Sequence, residues 1–279
     1  ASEIAATTIT PAQMADSAFL ANRNTIINGA MQISQRSTSV ASITTDGYYT
    51  LDRWKVFNDT LGTFTMSQST TAPSDQGFRS SLKMDCTTAD ASPAAADRVG
   101  VRQFFEGFDI QQFKYATSNA ESTTLSFWVR SSKTGTYIAE LYCVSANRQI
   151  SKAYTISVAD TWEKKTITFS GDTGGTYNND NTGELLVSFY LGVGSNYSSG
   201  TLNQSWADYV NANRAVGQVN VADSTSGDWY ITGIQLEVGD SATPFEYKTF
   251  GQELTACQRY YTRLTSPSPA NATFGFGHA

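Results

Sequence analysis

Apolar and polar residues alternate with a period of two over most of this chain. Phe64 and Met66 share a side of FTMSQST, Leu82, Met84 and Cys86 of SSLKMDCT, and Leu125, Phe127 and Val129 of TLSFWVRS. The same alternation runs through Tyr137, Ala139, Leu141 and Cys143, then Tyr154, Ile156 and Val158, then the long row Leu185, Val187, Phe189, Leu191 and Val193. In WYITGIQLEV it predicts Tyr230, Ile234, Leu236 and Val238 on one buried side, with Thr232 between them. Successive side chains of a strand point to opposite faces, so each run predicts one buried and one wet face, the habit of antiparallel sheets. Many such strands joined by Gly, Asn, Ser and Asp turns predict an all-β fold, a two-sheet antiparallel sandwich. No repeat of about 20–50 residues recurs, which disfavours a propeller, solenoid or β-helix.

The two ends read differently. Thr10-Pro11-Ala12-Gln13 fits a capping box, with Thr10 as N-cap, and Met14, Ala18 and Phe19 share one face; a helix over 11–22 is predicted. A helix that short is marginal alone, so residues 1–23 are expected to form an arm that contacts neighbouring subunits or anchors the chain. Residues 24–248 are expected to form the sandwich. Trp229 to Tyr261 reads as a closing strand, a turn, and a short helix or bent segment. Pro244-Phe245-Glu246 suits an extended exit, because Pro fixes φ and restrains its neighbour. Leu254, Cys257 and Tyr261, at i, i+3 and i+7, are expected to seal the bottom of the sandwich. Residues 249–279 are expected to be an exit segment leading toward further chain.

Composition narrows the function. The chain is poor in charge (16%) and rich in aromatics (12%), with a net charge of -6. It shows no Lys/Arg stripe, so nucleic-acid and anionic-membrane binding are not expected. No run of about 18 apolar residues predicts a membrane-spanning helix. Cys86, Cys143 and Cys257 are odd in number and widely spaced, and are expected to be buried thiols rather than disulfides or zinc ligands. The one histidine is His278, next to the end of the chain, which disfavours Ser-His-Asp and Cys-His chemistry. GDTGG at 171–175 has no following Lys and reads as a turn. Asp172, Asn179 and Asp180 offer oxygen ligands without EF-hand spacing, so no metal and no cofactor is assigned. Asp52-Arg53-Trp54 reads as a strand entry with a local ion pair.

Two long polar loops carry the candidate chemistry. Residues 170–183 hold Tyr177, Asn179 and Asp180; residues 194–228 hold Tyr197, Trp206 and Tyr209. Loops of this length in a compact domain are usually functional or an interface. Aromatic faces stack on sugar rings while amides and carboxylates bond to hydroxyls, so these six residues are the candidate glycan-binding set. Packing under their own loops is the competing reading for the aromatics.

Several segments also carry a resemblance. NRNTIINGAMQISQRSTSV (22–40), YYTLDRWKV (48–56), TLSFWVRSSKTGTY (124–137), TWEKKTITFSGDTGGTYNNDNTGELLVSFYLGVGS (161–195), GTLNQSW (200–206) and ITGIQLEVGDSATPFEYKTFGQELTACQRYY resemble the jelly-roll, carbohydrate-binding-like domains of phage tail fibres and prophage structural proteins. The resemblance covers about 24–261. It implies a two-sheet jelly roll, a virion location and a homotrimer, with other virion proteins and host surface polysaccharide as partners. Such modules often hold calcium partly through an acidic pair in the closing strand; here that place is Thr232-Gly233, and no calcium is assigned. The expected function is that of a non-enzymatic tail-fibre or receptor-binding subunit that contacts host glycans. The alternatives are a head spike, decoration or fibre-shaft subunit that binds only virion proteins, and, less favoured, a glycan depolymerase.

Overall fold

The structure, a computed structural model, describes residues 22–263. Residues 1–21 of the expected arm, with all but the last residue of the helix expected over 11–22, and His278 lie outside the described residues. The strands are β1 (Ser39–Ile43), β2 (Lys55–Asp59), β3 (Thr63–Ser69), β4 (Ser81–Thr88), β5 (Arg98–Glu106), β6 (Thr123–Ser131), β7 (Gly135–Cys143), β8 (Arg148–Ile156), β9 (Glu163–Phe169), β10 (Gly183–Val193), β11 (Ala207–Asp208) and β12 (Asp228–Val238). They form two six-stranded sheets, ordered β1-β3-β4-β12-β6-β9 and β11-β8-β7-β10-β5-β2. All strand pairs are antiparallel. The fold is therefore an all-β jelly-roll sandwich.

The inward residues of both sheets form one core. Phe64, Met66, Leu82, Met84, Leu125, Phe127 and Trp229 from the first sheet meet Val99, Val101, Tyr137, Leu141, Leu185 and Phe189 from the second. Phe189 packs between Phe127 (5.1 Å) and Trp229 (6.0 Å), in the tilted and edge-to-face arrangements that aromatic quadrupoles favour. Cys86, Cys143 and Cys257 are free and buried.

Three expectations about patterning are corrected. In β12 the inward residues are Trp229, Ile231, Ile234 and Leu236, not one row from Tyr230 to Val238. The register with β6 shifts between Thr232 and Gln235, a bulge that changes the phase of alternation. Gly233 sits there at φ 61, and a Cβ on it would lie 2.5 Å from the ring of Phe78. Tyr230 and Thr232 thus face outward, and Val238 is exposed. Second, β10 and β12 have no wet face: Glu184–Leu191 and Trp229–Glu237 are buried throughout, because loops and the C-terminal segment cover their outer sides. Val158, beyond the end of β8, is exposed. Third, Asp52 pairs with Arg36 at 3.3 Å rather than with its neighbour. The Arg53 guanidinium instead lies 3.4 Å from the ring centroid of Tyr260 and donates to the Phe104 carbonyl.

The start of the described chain is stitched to its end. Asn28, fully buried, donates to the carbonyls of Ile33 (2.8 Å) and Asp52 (3.0 Å) and accepts from the backbone of Gln32 and Ile33. Its side-chain amide is fully used. The backbone N–H of Asn28 donates to Glu253 on helix α2 (Phe250–Gln258), a second helix that follows the one-turn α1 (Ser195–Ser198). Thr249 and Gln252 cap α2 reciprocally. Of the three residues expected to seal the bottom, Cys257 is buried and Leu254 and Tyr261 are half-buried.

Candidate functional site

The six candidate residues are divided by the fold. Tyr177 and Asn179 come together at one end of the sandwich, where the turn Gly107–Phe113, the loop 114–120 and the loop 170–182 border an open cavity of about 470 Å³. Its lining includes Gln111, Lys114, Tyr115, Thr117, Asn119, Tyr177, Asn178 and Asn179. Gly107 permits this meeting: a Cβ there would lie 2.0 Å from the Asn178 carbonyl oxygen.

The floor is aromatic and held in place. Tyr177 lies edge-to-face on Tyr115 at 5.5 Å, and Tyr115 on Trp206 at 5.6 Å. The Tyr177 hydroxyl donates to Asp172 Oδ2 at 3.0 Å. Asp172 is buried and also accepts from Arg148 Nε at 2.9 Å and Nη2 at 3.0 Å, and Arg148 reaches on to Asp208. Burial first, then the nearby Cys143 and Asp172 groups, push the Tyr177 hydroxyl well above the ordinary phenol range. It therefore stays a donor, and the ring cannot swing away without breaking a bond to a charged acceptor. Asp172, weighed above as a calcium ligand, is thus committed to Arg148 and Tyr177.

The walls are polar and their amides are largely unspent, while the Thr117 hydroxyl donates to the Lys114 carbonyl at 2.6 Å and accepts from the Asn119 N–H at 3.1 Å. Gln111 Nε2 donates to Asn179 Oδ1 at 2.8 Å. Lys114 Nζ pairs with Glu121 at 2.6 Å across solvent. Gln111, Lys114, Thr117, Asn119, Asn178 and Asn179 are all exposed. An aromatic floor ringed by accessible amides, a hydroxyl and an ammonium is the combination that orients a small polyhydroxylated ligand.

The other candidates have different places. Trp206 stands behind this floor, donating from Nε1 to the Ser170 carbonyl at 2.7 Å. Asp180 caps its own loop, accepting from the backbone (2.9 Å) and hydroxyl (2.6 Å) of Thr182, which hold its carboxyl below the usual range. Tyr197 and Tyr209 lie elsewhere, on the outer face of the second sheet. Tyr197 is buried, with the Arg98 guanidinium 4.9 Å from its ring. Tyr209 packs on Tyr142 at 5.2 Å, and its hydroxyl accepts from Arg214 Nη1 at 2.9 Å.

A smaller cavity of about 250 Å³ opens on that face, between Arg98, Arg102, Phe104, Tyr142, Tyr209 and Arg214. Its cations are already paired: Arg98 with Asp59 (2.6 Å), Arg102 with Asp46 (2.7 Å) and Arg214 with Glu140 (2.6 Å). Only Arg102 Nε among these guanidinium groups is buried without a partner. The end cavity thus offers more free hydrogen-bonding capacity.

Sequence reasoning missed the whole of the 107–120 wall. The run FDIQQFKYATSNA crowds aromatic, amide and lysine residues, a usable signal, but it falls outside the two longest loops. Among the described residues no cluster of His, Cys, Asp and Glu could hold a metal ion, and no helix is long and apolar enough to cross a membrane.

No family model matches the chain, and no curated protein matches it. Solved structures do. The tailspike protein 4 enzymatically active domain of bacteriophage CBA120 is 13% identical with a TM-score of 0.40; the match covers 77% of this chain and 21% of that one. The carbohydrate-binding module TmCBM61, solved with β-1,4-galactotriose, is 12% identical with a TM-score of 0.39, covering 78% and 99%. A family 11 carbohydrate-binding module from Clostridium thermocellum, solved with a mixed-linked tetrasaccharide, is 9% identical with a TM-score of 0.36, covering 74% and 97%.

Proposed function

We propose that this chain is a non-enzymatic glycan-binding subunit of a phage tail fibre or other virion surface structure, and that it holds host polysaccharide in the cavity at the end of the sandwich. One observation carries the reading: Tyr177, locked by Asp172 and Arg148, forms the floor of a 470 Å³ cavity whose rim is a set of exposed amide, hydroxyl and ammonium groups. A site fixed before the ligand arrives loses little entropy on binding, and a cavity of this size suits one or two sugar rings. The virion assignment rests on the sequence segments that resemble tail-fibre domains.

The reading is tested with purified protein on a glycan array and on host cells. Saturable binding that free oligosaccharide displaces, with no reducing ends released from host polysaccharide, is the expected outcome. Reducing-end release would make the chain a depolymerase. Absence of binding to any glycan or host cell would favour the alternative, a head or shaft subunit that contacts only other virion proteins.

A further inference from the structure

The outer face of the first sheet carries a second cavity, of about 450 Å³, which none of the six candidate residues lines. Trp128 on β6 forms one side. Its cross-strand partner on β9 is Lys164, and directly opposed side chains on one face lie within reach of a common ligand. Lys164 is exposed and makes no ion pair among the described residues. The other side is the segment Pro244–Tyr247, packed on Phe78: Phe78 meets Phe245 at 5.1 Å and Tyr247 at 5.5 Å.

That second wall is rigid. Thr243 is pinned by the buried Glu237, through its N–H at 2.9 Å and its hydroxyl at 2.6 Å. The Glu246 N–H donates to Gln235 at 2.8 Å, and the Tyr247 hydroxyl donates to the Gln76 carbonyl at 2.7 Å. Tyr247 nevertheless leaves 53% of its surface exposed.

Elsewhere on this sheet face the aromatic rings are already occupied. Tyr230 has Arg130 at 4.8 Å and Lys83 at 5.4 Å from its centroid, with Trp162 against its edge. Trp128, half-buried, has no cation over its ring and no aromatic neighbour in contact among the described residues. An indole face left open beside an unpaired ammonium is complementary to a flat apolar surface bearing a negative charge.

We propose that this groove is a second ligand site, for an acidic sugar: a uronate ring stacked on Trp128 with its carboxylate on Lys164. The chain's net charge of -6 supplies no long-range attraction for such a ligand. Selectivity for the acid therefore rests on Lys164. This site shares no residue with the Tyr177 cavity and stands or falls independently of it.

The test follows the Trp128 indole N–H resonance, assigned with Trp128→Phe, during titration with sodium trigalacturonate and with its methyl ester. The expected result is a saturable shift in the millimolar range, roughly three- to fivefold weaker for the ester, as befits an exposed charge pair. Lys164→Gln, an exposed change that spares the fold, should equalise acid and ester. No saturable shift overturns the proposal. Equal shifts for acid and ester in the unaltered protein overturn the acidic ligand class. Movement of the Trp128 resonance with protein concentration alone also overturns it, by showing that a second copy of the chain covers the groove.

Discussion

Removal of the Arg214 charge is the sharpest test of how the long loop is held on the sandwich. Arg214 sits in the loop between β11 and β12 and is 6% exposed; Glu140, beneath it on β7, is 0% exposed. The pair is bidentate, Nε to Oε1 at 2.8 Å and Nη2 to Oε2 at 2.6 Å, and the Tyr190 hydroxyl donates to Oε2 at 3.0 Å. Arg214→Met removes the cation and leaves a buried carboxylate with only Tyr190 as donor. Breaking a buried pair in this way costs about 3–5 kcal/mol, because the remaining ion is desolvated without compensation. For a domain of this size that lowers Tm by about 6–20 °C. Glu140→Gln in the same chain removes the stranded charge, so the double variant should regain much of the loss. The assay is denaturant and thermal unfolding of all four proteins of the cycle, read as a coupling energy. A loss under about 1 kcal/mol for Arg214→Met, or additive single changes, would refute the claim that this pair anchors the loop.

Other outcomes follow from the same geometry. Gly233→Ala should destabilise the fold by about 1–3 kcal/mol, since it places a Cβ at φ 61 and 2.5 Å from the Phe78 ring; unchanged unfolding midpoints would contradict the bulge. Arg259 donates to Glu106 at 2.6 Å and holds its carboxyl below the ordinary value. A carboxyl depressed by folding adds stability above its unfolded value and loses it as pH falls, so docking of α2 should loosen below about pH 4. Glu106→Gln should flatten that part of the pH–stability profile, and an unaltered profile would count against it. Burial pushes the thiols of Cys143 and Cys257 up to about 12 and raises that of Cys86. A thiol reagent at neutral pH should therefore label none of the three until the protein is unfolded; rapid labelling of the native protein would show the core to be open.

Much of the sandwich was legible because alternation is a local signal. Phe64 and Met66, or Leu185 through Leu191, declare a buried face without knowledge of any partner strand. The signal failed where a non-local contact set the phase. The bulge of β12 answers to Phe78, which lies far back in the chain. In β5, Gln103 takes an inward position because its amide mimics a strand partner for Ile27, accepting from its N–H and donating to its carbonyl at 2.9 Å each; a polar residue among Val99, Val101 and Phe105 hides the strand. The Asp52–Arg36 and Arg53–Tyr260 pairs likewise depend on segments brought together only by folding. Half of the Tyr177 cavity was legible, because loop 170–183 advertises itself by composition. The facing wall was not, since Gln111 and Asn119 gain meaning only where Gly107 lets the two loops touch.

Calorimetric titration of an array-positive oligosaccharide reports whether the end cavity binds sugar. Gln111→Ala and Asn179→Ala are surface changes that should leave the fold intact. Each removes a rim amide, and together they should weaken binding by tenfold or more, about 1.4 kcal/mol or greater. Affinity equal to that of the unaltered protein in the double variant would contradict the assignment of the site.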